Sequence, residues 1–118
     1  MNSRVKEKWV ATLRSGEYNQ GTRALRNNSN QFCCLGVLCD LYDKEQNFNS
    51  WQLVPDNHYE FGEEPELPPF RVWSSWAGMA EQNPVIQFPD TDSPQSLAEL
   101  NDQGYTFEEI ANLIEMCL

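Results

Sequence analysis

The sequence predicts an α+β fold, mostly helical with a minor short-stranded component, over one small domain spanning residues 1–118. Apolar residues recur at helical spacing in Val5, Trp9, Val10 and Leu13, and again in Leu35, Leu38, Leu41 and Tyr42. Two short runs, Trp51-Gln52-Leu53-Val54 and Tyr59-Glu60-Phe61, alternate as strands do. A chain of 118 residues has the usual size of one domain with one modest core.

The elements follow in order. The first helix runs from about Ser3, which can cap it, to Ser15, and Gly16 stops it. Asn27-Asn28-Ser29-Asn30 is turn chemistry, so Ala24-Leu25-Arg26 and Gln31-Phe32-Cys33 are expected to form a hairpin. The second helix, Cys34 to Lys44, is the most apolar stretch and is expected at the centre of the core. Pro65, Pro68 and Pro69 break the chain before a third helix, about Pro69 to Ala77, with Phe70, Trp73 and Trp76 on one side. Between Asn83 and Asp92, Val85-Ile86-Gln87-Phe88 reads as extended. Ser93-Pro94 opens a fourth helix that ends at Asp102. The last helix carries a capping box, Thr106 with Glu109, and a staple pair, Tyr105 with Ile110.

The net charge of −10 is unevenly spread. Residues 1–39 carry six cations against two carboxylates, a net +4. Residues 40–118 carry two cations against sixteen carboxylates, a net −14. The acidic excess argues against direct binding of nucleic acid, which needs a positive field. No apolar run approaches the roughly 20 residues of a membrane span. Met1 to Arg14 alternates charge with apolar residues, unlike a secretory leader. The expectation is a cytoplasmic protein without a membrane partner, and its four cysteines do not form a spaced disulfide framework.

Several motifs suggest chemistry and do not complete it. Leu97–Leu100, Gly104-Tyr105-Thr106 and Glu109-Ile110-Ala111 resemble the leading half of a helix-turn-helix. Glu108, Glu109 and Glu115 on the last helix would repel phosphates, so a helix pair packing the core is the expectation. Cys33, Cys34, Cys39 and His58 could supply four zinc ligands, but their spacing is not that of paired Cys-x2–4-Cys sites, and no metal or cofactor is expected. Cys34 and Cys39 lie within an apolar helix, as ordinary small core residues do. No catalytic set and no phosphate-binding glycine loop is complete.

The polar, basic first third is the best candidate site. Arg14, Tyr18, Gln20, Arg23 and Arg26 lie close in sequence, with Trp9 just before them. Arginine offers forked donors to phosphate, and Tyr18 or Trp9 can stack a base. Gly16 and Gly21 would allow the backbone to approach a ligand. These six side chains are the candidate contacts for a nucleotide-like anion.

Leu13-Arg14-Ser15-Gly16 with Tyr18 and Gln20, then Phe32-Cys33-Cys34-Leu35-Gly36-Val37-Leu38-Cys39-Asp40-Leu41, resemble a family of small proteins of tailed bacteriophages and prophages. The end is similar to the same family: Leu100-Asn101-Asp102-Gln103-Gly104, Thr106-Phe107, Ile110-Ala111 and Ile114-Glu115. So is the middle, in Leu67-Pro68-Pro69, Trp73 and Ala77-Gly78. The resemblance implies an accessory role in infection and brings no activity or catalytic residue with it. An accessory protein without a visible catalytic set is expected to act by binding, and three readings are weighed. The first is a protein that sequesters a nucleotide-like signal of host antiviral defence. The second is an acidic inhibitor of a host defence protein, a nuclease or CRISPR effector, mimicking DNA charge from Asp56 to Glu66 or along the last helix. The third is a nucleotide-processing enzyme using Cys33 or Asp40. A homodimer is an expectation of the first, because tight sites for small ligands are often shared between copies.

Overall fold

The computed structural model describes residues 1–55, 58–88 and 93–118. The fold is α+β. Helix α1 spans Ser3–Ser15, and Asn2 caps it rather than Ser3. The Asn2 Oδ1 accepts from the Val5 N–H at 3.0 Å, the bond an N-cap side chain makes to the third helical residue. Gly16 ends the helix in the left-handed conformation with φ 79°. Short strands β1 (Asn19–Gln20), β2 (Arg26–Asn27) and β3 (Gln31–Phe32) follow, and β2 and β3 form the expected hairpin. Helix α2 spans Cys34–Gln46, two residues longer than its apolar pattern suggests, and is the central element. Leu35, Val37, Leu38 and Cys39 on it are fully buried.

Strands β4 (Trp51–Val54) and β5 (His58–Phe61) pair antiparallel, with Leu53 opposite Tyr59. The five strands form one mixed sheet in the order β1-β3-β2-β5-β4. The third helical segment differs from expectation. It is a π-helical turn, Arg71–Trp76, in which the Ala77 N–H donates to the Val72 carbonyl at 2.9 Å. The wider turn rotates the side chains away from α-helical phase. Val72 is buried, Phe70 is 64% exposed, and Trp76 stands edge-on to Tyr42 at 5.4 Å.

A two-stranded ribbon of β6 (Val85–Ile86) and β7 (Gln95–Ser96) precedes helix α3 (Leu97–Asp102). The fourth helix therefore starts later than Ser93-Pro94 suggests. Ser96 caps it, because its hydroxyl reaches the Glu99 N–H at 3.2 Å and its backbone is held extended by the ribbon. Of the predicted extended run Val85-Ile86-Gln87-Phe88, only Val85–Ile86 forms a strand, and residues 89–92 lie outside the described residues. Helix α4 (Phe107–Cys117) shows both halves of the capping box. It buries Phe107, Ile110, Ala111 and Ile114 and packs along α1, so the final helix pair is part of the core. Among the described residues, no helix is long and apolar enough to cross a membrane.

Candidate functional site

The six candidate side chains separate in space. Trp9 is a correction. It is fully buried, and its indole N–H donates to the Cys34 carbonyl at 3.0 Å, so it fixes α1 to α2 and offers no face to a ligand. Arg14 lies at the α1–α4 seam, bonded to Glu115 at 3.1 Å and Asn112 at 2.6 Å, with Glu108 at 3.7 Å. Gln20 is structural as well. Its amide donates to Asn101 and to the Tyr105 carbonyl, and its oxygen accepts from the Phe107 N–H. Gly21 is buried against Gln31 and does not open the backbone to a ligand, and Gly16 ends α1 in open space.

Gln20 belongs to a hub around Asn101, which is buried to 1% exposure. The Asn101 oxygen accepts from Gln20 and from the Cys34 N–H, and its amide donates to the Gly21 carbonyl at 2.8 Å. An Asn101→Ala variant strands these buried partners. It is expected to lose about 3 kcal/mol of stability, because each orphaned buried group costs about 1–3 kcal/mol. Urea unfolding measures the loss; a change under about 1 kcal/mol would contradict the role of the hub.

Arg23 lies beyond that hub in the left-handed conformation, φ 67°, with its N–H bonded to Asp102 at 2.9 Å. It borders two cavities. One, of about 300 Å³, is lined by Cys33, Glu66, Leu67, Asn83, Ala98 and Asp102. The other, of about 490 Å³, lies on the polar face of the sheet beside Asn27, His58, Glu60 and Glu66. Carboxylates outnumber cations in both linings, an unfavourable setting for an anion.

Tyr18 and Arg26 do come together. Pairing places Arg26 opposite both Phe32 and Tyr59, and side chains of paired residues share a sheet face. The Arg26 guanidinium lies 4.0 Å from the Tyr59 ring centre, 5.3 Å from that of Phe32 and 5.5 Å from that of Trp51. Phe32 meets Tyr18 edge-on at 5.0 Å and Trp51 at 5.9 Å. One guanidinium edge is held by Asn30 at 2.7 and 3.1 Å, which leaves the other N–H donors free among the described residues. No described carboxylate pairs with Arg26.

Asp40 on α2 anchors this face from below. It accepts from the Trp51 indole N–H at 3.0 Å and from the Tyr18 hydroxyl, and Lys44 lies 3.3 Å away. Lys44 also donates to the Tyr18 oxygen at 3.0 Å. Burial, and then the bond to Asp40, pushes the Tyr18 pKa up to about 12, so the phenol stays neutral and donates. Asp40 is thus satisfied by fixed donors and positions rings rather than acting as a base. Sequence reasoning missed Phe32, Trp51, Tyr59 and Lys44, and offered Asp40 only as a catalytic carboxylate. The alternation of Trp51 with Leu53 and of Tyr59 with Phe61 was the available signal, but the register that brings them to Arg26 is a tertiary fact.

Cys33, Cys34 and Cys39 are buried, and Cys117 is exposed. Burial pushes the Cys33 thiol up to about 11 and those of Cys34 and Cys39 well above the usual range. The Cys33 sulfur instead caps α2, accepting from the Gly36 N–H at 3.3 Å. Among the described residues, no three His, Cys, Asp or Glu side chains come together to hold a metal ion. No curated protein and no solved structure matches this chain. A family model described as a domain of unknown function, DUF8296, matches residues 1–118, and the chain belongs to that family.

Proposed function

We propose that the protein binds a planar, anionic, nucleotide-like molecule on the aromatic face around Arg26 and holds it without turnover. The observation that carries this reading is the Arg26 guanidinium stacked on Tyr59 and flanked by Phe32 and Trp51, with no described carboxylate partner on a chain of charge −10. A guanidinium plane backed by aromatic rings accepts a base on its open side, and its free N–H groups suit a phosphate. Lys44, 5.1 Å from the Tyr18 ring centre, is paired with Asp40, so Arg26 carries the charge of this face. The protonated buried thiols and the saturated Asp40 support binding over catalysis.

The similarity of the Phe32–Leu41 string to tailed-phage proteins supports an accessory role in the host cytoplasm, sequestering a nucleotide-like defence signal. The acidic-inhibitor reading has less support. Arg14 engages Glu108 and Glu115, which weakens a charge array along α4. Its other candidate surface begins at Asp56, which with Asn57 lies outside the described residues.

Calorimetric titration with adenine and guanine mononucleotides and cyclic dinucleotides tests the reading. Binding of at least one is expected. Tyr59→Ala should weaken it by about tenfold, the worth of the cation–π contact that backs the Arg26 plane. Arg26→Lys should retain charge but lose the plane, and fall between wild type and Arg26→Ala. No binding of any of these ligands, or binding indifferent to Arg26→Ala, would sink the proposal.

A further inference from the structure

Strand β4 forms one edge of the five-stranded sheet. No described residue hydrogen-bonds to its outer backbone. The direction of its backbone groups follows from one bond. The Ser50 carbonyl accepts from the Gly62 N–H at 3.2 Å, which continues the register that pairs Trp51 with Phe61. Hydrogen-bonded and non-hydrogen-bonded pairs alternate along antiparallel strands. Gln52 and Val54 therefore turn their N–H and C=O groups inward to β5, and Trp51 and Leu53 turn theirs outward.

This edge lacks the usual protection. No charged side chain occurs between Glu45 and Asp56. Natural edges are commonly blunted by Lys, Pro or a bulge. Here Leu53 is 61% exposed, and Phe48 in the same neutral stretch is 57% exposed. Pro55 removes the next outward donor and limits any ladder to Trp51 and Leu53.

We infer that a second copy of this chain pairs with β4, edge to edge and antiparallel, about a two-fold axis at Gln52. That register is self-complementary. Trp51 of each copy forms a hydrogen-bonded pair with Leu53 of the other, which satisfies all four outward groups of each strand. The same pairs place indole against leucine on the face that carries Arg26. Gln52 meets Gln52 on the opposite face. Charge selects this partner. A chain of net charge −10 repels its copy over most of its surface, so copies meet best on a neutral strip. A basic partner would be drawn instead to the carboxylates. The inference does not rest on the ligand reading.

Sedimentation equilibrium of the full chain across a wide concentration range, with cross-linking of cysteine variants, tests it. A monomer–dimer equilibrium is expected. Leu53→Lys should weaken it by about tenfold or more, the worth of one leucine removed from an apolar contact. In a Cys117→Ser background, which removes the exposed native thiol, Gln52→Cys should form a disulfide dimer on mild oxidation. Cα atoms of a non-hydrogen-bonded pair lie about 4.5 Å apart, within disulfide reach. Leu53→Cys in the same background should not cross-link, because its symmetry mate lies roughly 9 Å away along the strand, beyond that reach. A monomer at all concentrations, a dimer indifferent to Leu53→Lys, or equal cross-linking at positions 52 and 53 would each overturn the inference.

Discussion

Stability should fall steeply as the pH rises above 9, because three buried thiols must stay protonated for the chain to stay folded. Cys33, Cys34 and Cys39 are buried around the start and centre of α2. Desolvation is the leading cause for each. It lifts Cys33 from its ordinary value of 9.0 to about 11 and lifts the other two well above 9.0. The folded pKa lies above the unfolded one, so this contribution is complete below pH 9. It is lost as the pH climbs from 9 towards 11 for Cys33 and further for its neighbours. Each thiol contributes a slope of about 1.4 kcal/mol per pH unit once the unfolded thiols are ionised. Together they cost about 4 kcal/mol per unit, a large part of the 5–15 kcal/mol that holds a domain of this kind. Tyr18 and Lys44 act in the same direction at higher pH, since both are raised. Urea midpoints between pH 8 and 10.5 should drop continuously, and Cys34→Ala should remove about a third of the slope. A flat profile over that range would show that the thiols are solvated.

Replacing Gly36 with alanine should cost about 4 kcal/mol or more, because a rigid backbone contact leaves no room for a methyl group. A Cβ at this position would lie 1.8 Å from the Leu25 carbonyl oxygen and 2.7 Å from its carbon. The obstruction is backbone on both sides. Leu25 is fixed in the sheet by the Cys33 N–H, which donates to its carbonyl, and by the Pro65 carbonyl, which accepts from its N–H. Helix α2 can accept the methyl only by lifting away from the sheet, which would open the contacts of Leu25, Leu35 and Cys33 together. The measurement is chemical unfolding, with circular dichroism to follow helix content. Near-native stability would mean that helix and strand separate more easily than their packing indicates.

The helices were legible because each carries its own grammar. The stripe of α1, the apolar run of α2 and the Thr106–Glu109 box of α4 act within a few residues. Sheet order was not legible, since β1, β2 and β3 are two residues long and carry too little pattern to declare partners. The π-helical turn escaped notice because its sequence differs little from that of an α-helix following two prolines. The site was half legible. Tyr18 and Arg26 were found from residue type. Nearness in sequence misled for the others, because Arg23 and Arg26, three residues apart, line different regions: Arg23 the polar cavities and Arg26 the aromatic face. Trp9 misled because a tryptophan on an amphipathic stripe serves the core as well as it could serve a ligand. Phe32, Trp51 and Tyr59 needed the strand register to bring them together.

The ligand reading stands or falls on where a nucleotide touches the protein. In a proton–nitrogen correlation spectrum recorded while cyclic dinucleotides and mononucleotides are titrated in, the Trp51 indole N–H, held by Asp40, reports on the aromatic face. Saturable shifts centred on that N–H, on the Arg26 side chain and on the amides of Phe32 and Tyr59 are the predicted result. Shifts confined to Arg23, Asn83 and Asp102 would move the site to the cavity beyond Asn101. Their absence with every nucleotide would contradict the proposed function outright.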